Sequence, residues 1–68
     1  MIATHRDELV QTLAEVAALC PEMRMGQLVA NLATLARGPH KESIWDVEDD
    51  ELLDAAKRQR DVLAQRRQ

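Results

Sequence analysis

The sequence predicts an all-α fold, a small three-helix domain with an extended segment that crosses between the second and third helices. Apolar residues recur at steps of three and four along three stretches of the chain, which is the spacing of one helical face. The apolar content of 46% includes a single aromatic residue, Trp45. Aliphatic side chains must therefore build the interior, and they suit close helix packing. We predict one helical domain over residues 1–68, with helices at about 4–19, 21–37 and 48–65.

The first helix is predicted to begin at Thr4. Its hydroxyl can accept a hydrogen bond from the backbone of Asp7 while the Asp7 carboxylate reaches back, a variant of the capping box. The helix is expected to end near residue 19, because Pro21 lacks the N–H group that would continue it. Proline suits the first position of a helix, so the second helix is expected to start at Pro21. The predicted apolar face of the first helix consists of Leu9, Leu13, Val16 and Cys20.

The second helix is predicted to end at Arg37, because Gly38 can adopt a left-handed cap and Pro39 prevents the helix from resuming. Within it lies a ridge of small residues. Glycine inside a helix costs about 1 kcal/mol relative to alanine, so we expect the backbone of the first helix to approach here; a functional glycine is the alternative. A bulkier residue at Gly26 should then wedge the helices apart. The ridge is Gly26, Ala30 and Ala33, and it would face Ala14, Ala17 and Ala18.

A polar stripe follows the second helix, where Arg24, Gln27 and Asn31 recur with Thr34 at helical spacing. Together these side chains suggest a binding face, since a face that is only solvated would more often carry lysine and glutamate. One hypothesis is a clamp, in which Arg24 reaches carboxylates of the crossing segment while the two amides bond its backbone. The alternatives are a recognition face for a partner protein or ligand carboxylate, and a merely solvated face. In the clamp hypothesis the carboxylates are those of Asp46, Glu48 and Asp49. The apolar stripe that runs beside the polar stripe on the same helix consists of Met25, Leu28, Val29, Leu32 and Leu35.

Residues 39–48 form the longest irregular stretch, and the alternation in residues 44–47 is typical of extended chain. We expect Ile44 and Val47 to enter the core there. Trp45 is expected to cover this thin core, the alternative being an anchor for a protein interface. The third helix should start at Glu48 or Asp49, with Val47 and Leu52 as a hydrophobic staple. Its predicted apolar stripe is Leu52, Ala56, Gln59 and Leu63, flanked by Leu53 and Val62.

Charge is segregated along the chain, although the net charge is only −3. Residues 42–54 carry seven acids and no base, whereas residues 57–67 carry five bases and one acid. Complementing the macrodipole of the third helix is one interpretation of this pattern. The alternatives are that two copies lie antiparallel, acidic half against basic half, or that the basic end touches nucleic acid.

Motifs for catalysis, metal or cofactor binding are missing from the sequence. His5, His40 and Cys20 are scattered, without the short spacings of metal ligands, and the two glycines are too far apart to form a phosphate-binding loop. We therefore expect no enzymatic activity, no cofactor and no metal. A lone cysteine, no signal peptide and no apolar run of about 20 residues predict a cytoplasmic protein that does not span a membrane.

Two segments carry a resemblance to a known group of proteins. Residues 21–31 read PEMRMGQLVAN, and residues 44–49 read IWDVED before Glu51 and Leu52. The combination of Pro-acid-apolar-Arg-apolar-Gly-Gln-Leu with an Asn four residues beyond the Gln, and then aromatic-x-apolar-Glu-Asp, resembles a family of small bacterial and phage-encoded proteins. It covers about residues 20–53, and residues 38–42 look like an insertion. Members of that family have no assigned function, so the resemblance implies a cytosolic prokaryotic or phage setting and no activity.

These observations predict a small non-enzymatic protein-interaction module that self-associates, most simply as a homodimer. The alternative is a nucleic-acid-binding or regulatory protein related to helix-turn-helix domains, since a tight bend separates the first two helices. Against that alternative, the chain is acidic overall and its second helix contains only two bases, whereas such proteins usually carry a basic stripe.

Overall fold

The computed structural model describes residues 4–66, and over that range the chain is α-helical without strands. The all-α prediction is therefore confirmed. The ends of the predicted domain 1–68, including Arg67 of the basic segment, lie outside the described residues. The helices are α1 (His5–Leu19), α2 (Met25–Arg37), α3 (Ser43–Asp46) and α4 (Asp49–Arg66).

Helix α1 has both of the ends predicted for it. The hydroxyl of Thr4 accepts a hydrogen bond from the Asp7 N–H at 3.1 Å, and the Asp7 carboxylate accepts one from the Thr4 N–H at 3.3 Å. The helix closes at Leu19, after which the Cys20 N–H still donates to carbonyls of the last turn. Its predicted inner face is confirmed, with Leu13 partly buried and the rest of that face buried.

Helix α2 begins at Met25, so the predicted start at Pro21 is wrong. Residues 20–23 form a turn instead, closed by a hydrogen bond of 3.1 Å from the Met23 N–H to the Cys20 carbonyl. Pro21 occupies the second position of that turn, which its fixed φ angle suits as well as it suits the start of a helix. Arg24 is extended (φ −71°, ψ 147°) and precedes the first helical residue.

Helix α2 ends where the sequence predicts. Gly38 has φ +100°, a backbone conformation that side chains with a Cβ rarely adopt, and its N–H donates to the Thr34 carbonyl at 2.7 Å. This geometry ends the helix and redirects the chain toward α3.

Helix α4 is the central element and packs against both α1 and α2. Ion pairs define the relative directions of these helices. Residues near the start of α1 pair with residues in the first half of α4, and a residue farther along α1 pairs with one farther along α4. The two helices therefore run parallel. These pairs join Arg6 to Asp49 at 2.8 Å, Lys57 to Glu8 at 2.7 Å and Arg60 to Glu15 at 3.3 Å.

Helix α2 runs antiparallel to α4, because its last residue pairs with the first turn of α4. The Arg37 guanidinium donates to the Glu51 carboxylate from two nitrogens, at 3.0 and 3.2 Å. That carboxylate also accepts a hydrogen bond of 3.0 Å from the Glu48 N–H, which fixes the start of α4 as predicted. Val47 and Leu52, the predicted staple, both pack against the core.

The expected close approach of α1 and α2 along the small-residue ridge is wrong. A Cβ atom added at Gly26 would meet nothing within 4 Å, and Ala30 is exposed; only Ala33 of the ridge is buried. The reason is that α4, not α1, is the main packing partner of α2. Small residues do mark a close approach, but they are Ala55 and Ala56 of α4, which are fully buried.

The predicted extended crossing segment is also wrong, because residues 43–46 form a single helical turn, α3. Ser43 and Val47, four residues apart, face inward. The Ser43 hydroxyl is buried and donates to the Gly38 carbonyl at 2.8 Å, and the Val47 N–H donates to the Ser43 carbonyl at 3.0 Å. This turn directs Ile44 outward, so of the two residues expected in the core only Val47 packs against it.

None of the helices described here has the length and apolar character that crossing a lipid bilayer requires.

We predict opposite effects of the same substitution at the two glycines. Gly26→Ala should raise the free energy of unfolding by about 0.5–1 kcal/mol, because the site is helical and open. Gly38→Ala should lower it by about 1–3 kcal/mol, because alanine is strained at φ +100°. Urea unfolding followed by circular dichroism measures both. A destabilising Gly26→Ala would instead restore the close-packing interpretation.

We also predict that low pH weakens the ion pairs that join α1 and α2 to α4. The pKa values of Glu8 and Glu51 lie below the ordinary 4.5, the first mainly through a hydrogen bond from Lys57, the second through the Glu48 N–H and then Arg37. A lowered pKa in the folded state stabilises the fold above the ordinary value, and the gain is lost as pH falls through the lowered pKa. The free energy of unfolding, measured with urea at several pH values from 7 to 3, should therefore fall with pH. Its slope against pH should be shallower for Glu51→Gln than for the wild type. Equal slopes would contradict the prediction.

Candidate interaction surfaces

An open groove lies between the end of α1, one side of α2 and the C-terminal half of α4. It encloses about 540 Å³. Its floor is apolar and continuous with the core, since Val16, Leu28 and Leu32 line it and are themselves buried. On the α4 side, Gln59 and Leu63 form the wall. The groove exists because residues 57–61 of α4 are polar or charged, so α4 supplies no large apolar side chain between Leu53 and Val62 to fill the space beside α2.

The rim of the groove is partly the polar stripe of α2. Asn31 and Thr34 line the groove, and the Asn31 amide nitrogen lies 3.7 Å from the Met23 sulfur, a weak contact. Arg24 and Gln27 continue this stripe toward the start of α2 and are exposed. The stripe therefore borders an apolar depression, an arrangement that neither the clamp nor the solvated-face hypothesis describes.

The clamp itself is wrong. Within residues 4–66, the side chains of Arg24 and Gln27 make no hydrogen bond or ion pair, and Asp49 pairs with Arg6 instead. The direction of the helices explains this outcome. The crossing segment lies beside the end of α2, whereas Arg24 stands at its start, and 13 helical residues separate the two ends by about 20 Å. The recognition-face hypothesis remains a prediction.

Trp45 stands on the outer side of α3 with 80% of its surface exposed. The expectation that it covers the core is therefore wrong, and its alternative role as an interface anchor remains a prediction. The backbone that carries the indole is nevertheless anchored, because Ser43 and Val47 hold α3 against the core. It borders a polar cleft of about 540 Å³ lined by residues 4–6 and 45–50.

The two surfaces differ in charge. Around Trp45, the carboxylates of Asp46, Glu48 and Asp50 are exposed and make no ion pair within the described part of the chain. At the groove, Arg66 lines the wall and likewise makes no ion pair with any described residue, while Glu22 lies on the rim. The surface around Trp45 is thus acidic, and the C-terminal end of the groove carries an available guanidinium.

The side chains most suited to chemistry are separated in the structure. Cys20 lies on the floor of the groove, His5 borders the cleft beside Trp45, and His40 lies in a small depression beside Arg37. Among residues 4–66, no three histidine, cysteine or acidic side chains are grouped to hold a metal ion.

Sequence reasoning identified the polar stripe and Trp45 but missed the groove. The available signal was the apolar stripe of α2, which runs on to Leu35, a residue left 45% exposed. Leu28 and Leu32 of that stripe are buried, whereas Leu35, the next large apolar residue along it, is left uncovered at the rim.

Comparisons of the chain with protein-family models, with curated proteins and with solved structures find no match.

We predict that Arg24→Ala leaves the free energy of unfolding within about 0.5 kcal/mol of the wild-type value, because Arg24 has no bonded partner among the described residues. Arg37→Ala is the matched control. It removes the forked contact with Glu51 and should lower the midpoint of urea unfolding clearly. Equal midpoints for the two variants would contradict this assignment of roles.

Proposed function

We propose that this protein is a small non-enzymatic protein-interaction module that self-associates, and that the groove between α2 and α4 is its contact surface. The observation that carries the proposal is the groove itself, an open depression whose floor is formed by apolar side chains of the core. Leu35 extends the same apolar surface to the rim, with almost half of its side chain exposed.

Association is favourable for a chain of this size. A domain of about 60 residues buries only about 60% of the surface its unfolded chain exposes, so its own core contributes little stability. Covering apolar surface gains about 25 cal/mol per Å². A standard interface removes about 800 Å² from each partner. The groove and the exposed apolar side chains beside it provide a starting surface for such an interface.

The geometry gives less support to the nucleic-acid alternative. Five basic side chains, those of Arg6, Arg37, Lys57, Arg58 and Arg60, are already engaged with carboxylates of the same chain. Each such pair reduces the positive potential that phosphate binding requires. The groove is apolar rather than cationic, which favours a protein partner.

The proposed setting is the cytoplasm of a bacterium or a phage-infected cell. Its support is the resemblance of residues 20–53 to small bacterial and phage proteins, together with the free thiol of Cys20. That thiol is buried and donates to the Val16 carbonyl at 3.1 Å.

Two matched substitutions test the groove as the contact surface. Leu35→Glu places a charge on the rim, whereas Val10→Glu places the same charge on α1, at a side chain that is 58% exposed and does not line the groove. We expect wild type and Val10→Glu to self-associate in sedimentation velocity over a concentration series. Leu35→Glu should dissociate at least about tenfold more readily, because burying a charge in an apolar contact is costly.

Circular dichroism and urea midpoints would show whether both variants keep the fold, which their exposure leads us to expect. A wild-type chain that stays monomeric at the highest concentration overturns the proposed function. Equal weakening by the two substitutions moves the contact surface away from the groove.

A further inference from the structure

Resting on the proposed function, we propose which group fills the groove: Trp45 of a second copy of this chain, entering with the acidic residues beside it. The contact would be reciprocal, so that two copies related by a two-fold axis each insert one indole and each receive one. This contact would bring together an open apolar groove and an exposed tryptophan, the two surfaces that the single chain leaves without a partner among the described residues.

Trp45 has the properties of an interface anchor. Its ring is four-fifths exposed, and it is the single aromatic residue of the chain. The α3 turn that carries it is fixed by the buried Ser43 hydroxyl and by Val47, so docking would order little additional backbone. Tryptophan is among the residues whose truncation most weakens protein interfaces, especially when it enters a dry pocket.

The groove matches such a side chain in size and character. Its volume of about 540 Å³ lies within the range of pockets that hold small ligands, so it can admit an indole with neighbouring atoms. The floor offers the aliphatic side chains of Leu28, Leu32 and Leu63. Asn31 and Thr34 on one edge and Gln59 on the other supply polar groups within reach of an indole N–H.

Charge favours this pairing of surfaces. The segment around Trp45 presents the unpaired carboxylates of Asp46, Glu48 and Asp50, and the groove presents Arg66, while Arg24 continues its rim. These are the arginines that lack a carboxylate partner within residues 4–66. Glu22 on the rim opposes the attraction but is outnumbered. Rim charges of this kind steer association and set its salt dependence more than they add affinity.

A chain cannot fill its own groove. Trp45 precedes the first turn of α4, whereas Leu63 and Arg66 lie in its last two turns. Helical rise separates these positions by about 20–25 Å. Two copies with antiparallel α4 helices remove this separation, because the acidic end of one then lies beside the basic end of the other.

Trp45 also supplies the assay. The chain has no other tryptophan and no tyrosine, so Trp45→Ala is devoid of aromatic fluorescence. Leu35→Glu keeps the tryptophan but has a damaged groove. We expect Trp45→Ala to weaken the dimer at least about 30-fold. We expect the emission of Leu35→Glu alone to remain that of a solvated indole.

Mixing the two variants gives the decisive measurement. If the tryptophan of one chain enters the groove of another, an excess of Trp45→Ala should shift the emission of Leu35→Glu to the blue and reduce quenching by acrylamide, since the mixed dimer retains one intact contact. An equal excess of a Trp45→Ala, Leu35→Glu double variant is the control and should leave both signals unchanged.

Charge reversal at Arg66 supplies a second measurement. Arg66→Glu should weaken the dimer relative to the wild type and flatten the salt dependence of its dissociation constant. Arg58→Glu is the control, because it changes the net charge equally at a residue that pairs with Asp54 and lies outside the groove. Its effects on both quantities should be smaller. A dimeric wild type whose variants show no blue shift on mixing overturns this inference and leaves the proposed function standing. A wild type that is monomeric throughout the sedimentation series overturns both.

Discussion

The packing of α4 against both α1 and α2 is the constraint on which the rest of this structure depends. Two alanines, Ala55 and Ala56, let the neighbouring backbones come close, while Leu52 and Leu53 fill the space at its N-terminal end. Ion pairs then fix direction, so that α1 runs parallel to α4 and α2 antiparallel. Because all large apolar residues of α4 before Val62 lie in its first two turns, α4 contributes large side chains to the core mainly at its N-terminal end.

The two candidate surfaces lie at opposite ends of this uneven distribution. Where α4 is apolar, Leu52 and Leu53 are buried, and the neighbouring α3 packs inward through Ser43 and Val47 and turns Trp45 outward. Where α4 is polar, its bases pair with acids of α1, and the groove lies along this part of the helix. One helix, apolar first and basic later, thus has an exposed indole beside its N-terminal end and an open groove along its C-terminal half.

Local signals in the sequence predicted local structure well. The Thr4 capping box, the Gly38 terminus and the Glu48 start of α4 each depend on residues within one turn, and all were confirmed. Pro21 was misassigned because a turn and a helix start share its fixed φ angle. The clamp and the Gly26 ridge failed for a different reason: each required knowing which helix lies in the middle, and apolar periodicity identifies a buried face without identifying the partner that covers it.

The energetics favour a reciprocal contact over a single one. Burying the exposed four-fifths of an indole that offers 150–250 Å² gains at most about 3–5 kcal/mol. Bringing two molecules together costs about 4–15 kcal/mol in lost translational and rotational freedom. One inserted tryptophan therefore gives a weaker dimer than two, one that forms when one of the two chains is in large excess. A two-fold arrangement inserts two rings for one association step and also covers both grooves, so that each additional contact adds to stability without a second loss of freedom.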